Sequence, residues 1–502
     1  MAVSRSMMTG AAALSLIFCL LALLRPIDHD ESQYVAAAVL TAHGLLPYRD
    51  YAYLQPPLQP LLFAPVAGLA GVFAWPALRL VNALCGAVAV GAVAGAARAA
   101  GASRRMAVAG AGLFAATDIL LFSIGTARND ALPAACLSVA LWLMLRPGRT
   151  RRAAIAIGAL LAAAAAAKIS YAIPATAYGL YALIDSRAQR PLWVVIGALP
   201  LALVVGWIAA SAPDGFLFGV FVFPHAAPAD YYGATGRIAK LSTMMKLVDS
   251  IKFLALGPAL LALVVAMIDR GRRVPRPVAI MIVAGCIAAV LPSPIWRQYW
   301  LPALPPVFIA LALLGTATPP RRWLRLLTAV FVGAGLAPSI VAVAAGGGMA
   351  TAIRQGGAIR TMMDAAGAIS PVATLSPQFV PATTRGIDPR FATGPFYLRS
   401  HGLLDAADEA ARHLVSRARL ADAPLPPTLL TGGEGYWTSG DPALDRLLAT
   451  RARSAGYRAI RVPGGRFTLW RAPRSPDRNA RSARGRDPRR SAPPPLRSPP
   501  PP

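Results

Sequence analysis

Residues 8–34 read MTGAAALSLIFCLLALLRPIDHDESQY, in which an apolar run is followed within a few positions by two acids, Asp30 and Glu31. Charges at the end of a membrane helix are expensive to desolvate, so these acids mark a site for chemistry or binding at the membrane surface. Arg5 ahead of the apolar run also fits a cleaved signal peptide. We favour a membrane span, because no small-x-small cleavage site clearly follows and many apolar segments come later.

The composition is that of a polytopic membrane protein. Of 502 residues, 56% are hydrophobic and only 14% are charged. The mean hydropathy of +0.52 is too high for a soluble protein. We therefore expect an all-α membrane domain, residues 1–346, with about 11 transmembrane helices of ~20 residues each. The candidate spans are residues 8–24, 80–97, 106–125, 131–146, 153–168, 170–184, 191–211, 251–268, 277–293, 299–316 and 324–346.

Arginine predicts the orientation of these spans. Alternate connections are rich in arginine, as in residues 146–152, and by the positive-inside rule they are cytoplasmic. The N-terminus is then cytoplasmic, and Asp30 and Glu31 face outward. The outer loop 212–250 is also basic, but long loops are translocated largely regardless of charge. The predicted location is the plasma (inner) membrane, with several passes through the bilayer.

The net charge and the cysteines exclude two other kinds of function. The formal net charge is +28, but the arginines lie in the connections and in a C-terminal tail, so no nucleic-acid partner is predicted. The four cysteines fall singly within apolar spans, with no pair at metal-ligand spacing. No metal site and no cofactor are predicted, although a divalent cation is compatible with the acids.

The first outer loop, residues 25–79, is long and contains short helices by pattern. Residues 34–40 are a helix-forming run that begins directly after acids, which suit the positive end of a helix dipole. The double proline at 56–57 ends a turn and leads into an apolar stretch, residues 58–73. We expect that stretch to lie on the membrane as an interfacial helix.

Six short motifs occur in order along this part of the chain. They are Asp30-Glu31-x-x-Tyr34, Gly44-x-x-Pro47-Tyr48-x-Asp50, Pro56-Pro57-Leu58, Arg128-x-Asp130, Lys168 ahead of Pro174, and Arg297-x-Tyr299-x-x-Pro302. Over about residues 20–310 the chain thereby resembles the GT-C superfamily of integral-membrane glycosyltransferases, in particular the protein O-mannosyltransferase and lipid A aminoarabinose transferase group. Several members of that group have lysine before Pro-Pro-Leu, where this chain has Gln55.

The resemblance implies transfer of a sugar from a polyprenyl-phosphate-linked donor on the outer face of the membrane, where nucleotide sugars are not supplied. Asp30 is then the candidate general base that takes a proton from the acceptor hydroxyl, and Asp130 is the reserve candidate. The implied substrate-binding residues are Glu31, Tyr34, Arg128, Lys168 and Arg297. The implied partners are the lipid-linked donor, a glycan, lipid or protein acceptor, and membrane lipids.

Simpler explanations exist for each of these residues and for the function. They are helix capping for Asp30 and Glu31, mutual pairing for Arg128 and Asp130, snorkelling for Lys168, and interfacial anchoring for Arg297. The alternative function is a non-catalytic transporter or flippase of lipid-linked sugars. A transporter places ionisable groups near the bilayer midplane, commonly in repeated halves, whereas the acids here cluster at one face.

The C-terminal region, residues 347–475, is predicted to be a small extracytoplasmic α/β domain. A helix is predicted from the capping pair Asp441-Pro442 to Gly456. Residues 476–502 are rich in arginine, proline and serine, and this composition predicts disorder. Short strands are predicted at Thr428–Thr431, Tyr457–Val462 and Arg466–Trp470.

Overall fold

The computed structural model of the chain describes residues 5–268, 274–318, 321–436 and 441–473. The predicted disordered tail, residues 476–502, lies outside the described residues. Most of the described chain is helical, as the abundance of alanine and leucine predicts.

Eleven helices form the first part of the fold, up to residue 211. Ser103, Thr117 and Thr150 start three of them, because each side chain accepts a hydrogen bond from the N–H group three residues on. The helices are α1 (Arg5–Leu24), α2 (Glu31–Ala42), α3 (Leu58–Ala70), α4 (Ala74–Ala99), α5 (Arg104–Ala115), α6 (Asp118–Ile124), α7 (Ala131–Leu145), α8 (Arg151–Ala167), α9 (Ala172–Ile184), α10 (Ser186–Gln189) and α11 (Pro191–Ser211).

The middle of the chain continues in the same way, interrupted by a π-helical segment at Phe218–Val222 and a 3₁₀ segment at Arg297–Ala303. Proline at or near the first turn begins several of these helices, where its missing N–H group is not needed. The helices are α12 (Pro213–Leu217), α13 (Phe223–Ala234), α14 (Thr243–Ala255), α15 (Ala259–Ile268), α16 (Arg276–Val290), α17 (Leu304–Ala317), α18 (Arg322–Ala344) and α19 (Met349–Ala365).

Each of the predicted spans coincides with a helix or with a bent pair of helices. Within the described residues, four segments are long and apolar enough to cross a membrane: Leu58–Ala99, Pro191–Ser211, Arg297–Ala317 and Arg322–Ala365. The pairs α5–α6 and α14–α15, bent by 66° and 103°, raise this number to six if each pair is one span. The other predicted spans coincide with α1, α7, α8, α9 and α16. The total of about 11 spans stays a prediction.

Glycine allows several helices to cross closely. A Cβ atom on Gly158 of α8 would overlap the carbonyl oxygen of Val194 on α11, and one on Gly197 of α11 would overlap that of Ile155 on α8. This reciprocal contact is typical of membrane helices, which associate through small residues. Gly335 of α18 makes a similar approach to the carbonyl oxygen of Ala116.

The C-terminal region contains a four-stranded sheet with the strand order β1-β2-β4-β3. β1 and β2 are parallel and the other pairs are antiparallel, with Leu429 opposite Trp470. The predicted strands and helix are observed within a few residues of their expected bounds, and β1 is an additional strand. The elements are β1 (Val372–Thr374), α20 (Pro395–Leu398), α21 (Ala406–Ala411), β2 (Thr428–Thr431), α22 (Pro442–Ser454), β3 (Arg458–Arg461) and β4 (Thr468–Arg471).

The C-terminal region shares a hydrophobic core with the first outer loop. One cluster of buried side chains contains Tyr51 of that loop and Leu430 of β2. The indole of Trp75 in α4 packs edge-on against Phe379, with 5.2 Å between the ring centroids. A hydrogen bond of 3.0 Å joins His413 Nε2 to the carbonyl oxygen of Arg49. The first outer loop is therefore enclosed between the helical bundle and the C-terminal region.

Candidate functional site

Three chain segments form the charged site: the loop that follows α1, the turn between α6 and α7, and the residue that ends α8. Glu31 ties the first two to α4. Its Oε1 atom accepts hydrogen bonds from Arg79 Nε at 2.7 Å, Trp75 Nε1 at 3.1 Å and the Ala127 N–H group at 2.7 Å. Its Oε2 atom accepts from Arg79 Nη2 at 2.5 Å and from the Asp28 N–H group at 3.1 Å. The carboxylate is thus enclosed by protein donors.

The Glu31–Arg79 ion pair is completely buried, with both side chains 0% exposed. Arg79 also donates to the carbonyl oxygens of Ala22 and Arg25 at 2.8 Å, and to that of Pro26 at 3.0 Å. These bonds hold the end of α1 against α4. A buried charge needs such full pairing, because an unpaired one would carry a large desolvation cost.

Asp30 lies at the N-cap position of α2, but its side chain makes no capping hydrogen bond. Its carboxylate instead contacts the guanidinium of Arg128, and its Oδ1 atom lies 3.0 Å from His29 Nε2. Burial lowers the pKa of His29 below its usual value of 6.5, so the ring is neutral at pH 7 and its contact with Asp30 is a hydrogen bond. The Asp30 side chain keeps 21% of its surface exposed.

Arg128 connects Asp30 to a second acid, Asp130, at the start of α7. The distance from Arg128 Nε to Asp130 Oδ2 is 3.0 Å, and the other oxygen of Asp130 contacts Lys168 Nζ. Asp130 is fully buried. Burial raises its pKa, but the charges of Lys168 and Arg128 outweigh this effect and hold the pKa below its ordinary value.

These contacts bear on two of the simpler explanations, mutual pairing for Arg128 and Asp130 and snorkelling for Lys168. Arg128 and Asp130 do pair, and the pair also joins Asp30 and Lys168 in one chain of alternating charges. Lys168 does not snorkel to the surface, because its side chain is only 8% exposed and its Nζ atom lies 5.4 Å from the ring centre of Tyr299.

Three arginines surround the ring of Phe122 in α6. The guanidinium carbons of Arg297, Arg25 and Arg128 lie 3.8, 5.2 and 5.3 Å from its centroid. Burial, followed by the charge of Arg297, lowers the pKa of Arg25 to about 10. Arg297 Nη1 also donates to Asp118 Oδ2 at 2.8 Å, and the Arg297 side chain is 30% exposed. This arginine cluster is a concentration of positive charge suited to an anion.

Four residues of the site were not predicted from their sequence context: Arg25, Arg79, Asp118 and Phe122. Asp118 carries a signal that could have been used, since an acid inside the predicted span 106–125 is rare unless it is functional or paired. Its Oδ1 atom is buried and makes no hydrogen bond among the described residues. The other three carry no such signal.

Tyr34 and the turn around Gln55 complete the surroundings. Tyr34 is buried in α2, and its ring lies edge-on to that of Tyr53 at 6.5 Å. Gln55, which precedes the double proline, accepts a hydrogen bond of 3.1 Å from Asn129 Nδ2. The motif segments of the first outer loop and of the α6–α7 turn therefore lie together.

Asp28, His29 and Asp30 could in principle hold a cation. One potential ligand atom from each lies within 4.8 Å of the others. Arg128 already supplies positive charge here, in contact with Asp30 and 3.8 Å from Asp28. A divalent ion at these ligands would have to compete with the Arg128 guanidinium.

Comparison with known proteins gives one match to a protein family. Residues 54–210 match the sequence profile of the family described as dolichyl-phosphate-mannose-protein mannosyltransferase. No curated protein is significantly similar in sequence.

Two crystal structures of ArnT from Cupriavidus metallidurans superpose on most of the chain. The structure bound to undecaprenyl phosphate has a TM-score of 0.58 and 15% identity, over 94% of this chain and 99% of that one. The apo structure has the same TM-score and 16% identity, over 92% and 97% of the two chains. The chain therefore has the fold of these ArnT structures, and the profile match over residues 54–210 agrees with the predicted resemblance to the GT-C integral-membrane glycosyltransferases.

Proposed function

We propose that the chain transfers a sugar from a polyprenyl-phosphate-linked donor to an acceptor on the outer face of the plasma membrane. One observation carries the proposal: Asp30, a partly exposed carboxylate that caps no helix, shares Arg128 with the arginine cluster around Phe122. A carboxylate suited to accept a proton is thus next to cations suited to hold a phosphate. The undecaprenyl phosphate named in the matched ArnT structure is consistent with such a donor.

Asp30 is the proposed general base. In the reaction, the acceptor hydroxyl attacks the anomeric carbon of the sugar, the bond from that carbon to the phosphate oxygen breaks, and the polyprenyl phosphate leaves as an anion. The hydroxyl proton passes to the Asp30 carboxylate. Hydrogen bonding from neutral His29 orients the carboxylate. The reserve candidate, Asp130, has both oxygens bound to cations and is completely buried, which favours a role in holding Arg128 and Lys168.

Arg297 and Arg128 are the proposed phosphate ligands, with Arg25 behind them. Arg297 is the most exposed of the three arginines around Phe122, and a guanidinium can bind two phosphate oxygens at once. The negative charge that develops on the leaving phosphate is then stabilised by groups already in position. Lys168 contributes positive charge to the site indirectly, through its contact with Asp130.

Glu31 and Tyr34 serve the site in different ways. Glu31 is proposed to position the loop, because all its bonds are made to protein donors and none of its surface is exposed. Tyr34, one turn further along α2, is proposed to contact the donor near the charged groups. The proposed orientation places this site, and the C-terminal region that packs over it, outside the cytoplasm.

The charge distribution favours chemistry at one face over transport. Asp30, Asp130 and Arg297 lie at ends of helices or in turns that follow them, rather than at the middle of broken spans. A transporter would be expected to hold its ionisable groups at the bilayer midplane. Mass spectrometry of cell-envelope glycans with and without the protein would separate the two functions, because a transferase predicts loss of one sugar and accumulation of its lipid-linked form.

Asp30→Asn is the direct test of the mechanism. The variant keeps the size of the side chain but cannot take the proton, so transfer should slow by about 10²–10⁴-fold while the protein stays folded and binds donor. Asp28→Asn is a matched control, because the Asp28 side chain is also 21% exposed and lies in the same turn. A folded Asp30→Asn enzyme with near-wild-type turnover would refute the assignment and shift the role to Asp130.

A further inference from the structure

A large apolar cavity lies between helices α5, α15, α17 and α18, outside the charged site. Its volume is 880 Å³, within the range of about 300–1,000 Å³ that is common for small-molecule sites. Its walls are mainly side chains such as Leu113, Leu261, Val265, Leu311 and Leu314. The mechanism proposed above makes no use of this cavity.

Helix α18 has its buried contacts with the bundle in its C-terminal half. Gly335 crosses against Ala116 and Gly257, and Ser339 accepts a hydrogen bond of 3.0 Å from Arg25. These two are the only buried residues of α18. Its N-terminal half, from Arg322 onward, has no buried residue and stands away from α5, α15 and α17 across the cavity.

Three arginines lie at one end of the cavity. Arg105 from α5, and Arg321 and Arg325 at the start of α18, line it together with the exposed indole of Trp323. None of the three arginines makes an ion pair with an acid in the part of the chain that the structure describes. Arginine beside tryptophan is the composition found at the level of lipid headgroups.

We propose that this cavity binds an anionic phospholipid from the leaflet on the arginine-rich side of the membrane. The acyl chains would fill the apolar cavity, and the headgroup phosphate would contact Arg105, Arg321 and Arg325. Charge-assisted hydrogen bonds from arginine to phosphate supply the preference for an anionic headgroup.

The prenyl tail of a sugar donor does not explain the three arginines. The phosphate of such a donor is assigned to the arginine cluster around Phe122, which lies beyond the opposite end of α5. α5 has 12 residues and spans about 18 Å. A prenyl tail that entered the cavity from that side would bring only hydrocarbon to the arginines. A lipid with its own phosphate beside Arg105, Arg321 and Arg325 accounts for both the apolar walls and the positive charges.

Native mass spectrometry of the purified full-length chain tests the proposal. After removal of loosely bound lipid, the protein is mixed with phosphatidylglycerol or phosphatidylcholine, and bound lipid is counted. We expect retention of phosphatidylglycerol over phosphatidylcholine by about tenfold or more, the ratio that corresponds to 1.4 kcal/mol. The combined variant R105Q/R321Q/R325Q should lose this preference. R152Q/R187Q is the matched control, since both residues are exposed arginines that do not line the cavity.

A second variant tests the apolar part of the cavity. Gly112 lines the cavity, and a Cβ atom there would meet nothing within 4 Å, so Gly112→Phe should fill the space without breaking the fold. It should reduce phosphatidylglycerol binding, whereas Gly91→Phe, on open surface of α4, should not. Phosphatidylglycerol binding that is unchanged in both cavity variants would overturn the proposal. A second result would also overturn it. If Gly112→Phe loses bound undecaprenyl phosphate while the arginine variant has no effect, the cavity is a groove for the tail of the donor.

Discussion

Glu31→Gln should destabilise the protein strongly although it changes only a charge. The substitution removes the counterion of Arg79, whose side chain is 0% exposed. It also places an amide NH₂ group, which is itself a donor, among the five groups that donate hydrogen bonds to Glu31. Removing one partner of a buried ion pair lowers the free energy of unfolding by about 3–5 kcal/mol. Arg79 keeps three carbonyl acceptors, so we expect the lower end of this range.

Equilibrium unfolding of the purified protein in detergent measures this cost. Asp50→Asn is the control, because the Arg49–Asp50 pair is 50% and 24% exposed and such pairs contribute about 0–1 kcal/mol. Both variants are compared with wild type in the same denaturant series, so that incomplete two-state behaviour affects them alike. A cost for Glu31→Gln within about 0.5 kcal/mol of the control would refute the argument that this pair holds α1, the outer loop and α4 together.

Three further predictions concern packing, donor binding and topology. Gly335→Ala should lower the thermal midpoint of unfolding, because the new Cβ atom would overlap the Ala116 carbonyl oxygen. Gly333→Ala is the control on the same helix: its Cβ atom meets nothing within 4 Å, and the substitution should stabilise the protein by up to about 1 kcal/mol. Equal midpoints for the two variants would contradict the close crossing. Arg297→Ala removes a proposed phosphate ligand and should weaken donor binding by about 1.5–3 kcal/mol, whereas Lys168→Ala should weaken it less, because Lys168 acts through Asp130; unchanged donor affinity in both purified variants would remove them from the site. Reporter fusions after residues 100, 128 and 400 should place 128 and 400 on the outer side and 100 inside, so opposite sides for 128 and 400 would reject the topology.

The C-terminal region illustrates which elements a sequence can predict. β2 and α22 were predictable because their signals are local: a short β-branched and apolar run, and an aspartate followed by proline at a helix start. β1 was missed because it has only three residues and is stabilised by pairing with β2, more than fifty residues away. Strands that depend on such distant partners carry little pattern of their own.

The candidate site divides in a similar way. Asp30, Arg128, Asp130 and Lys168 were identified as separate motif residues, and they prove to form one chain of contacts. Arg79, which pairs with the neighbouring acid Glu31, was not identified. An arginine within a helix has the same sequence appearance whether it faces lipid headgroups or an internal carboxylate.

The sequence by itself determined that this protein is a helical membrane protein, where its helices lie, and which polar residues stand at their ends. It could do so because the bilayer imposes apolar length on each span and admits charge only at particular positions. Only the tertiary structure decided that Glu31 forms an ion pair with Arg79, that Asp30 and Asp130 both contact Arg128, and that three arginines surround Phe122. Apart from the contact between Arg128 and Asp130, these pairings join residues that are far apart in the chain, and they depend on how whole helices pack, which no local pattern records.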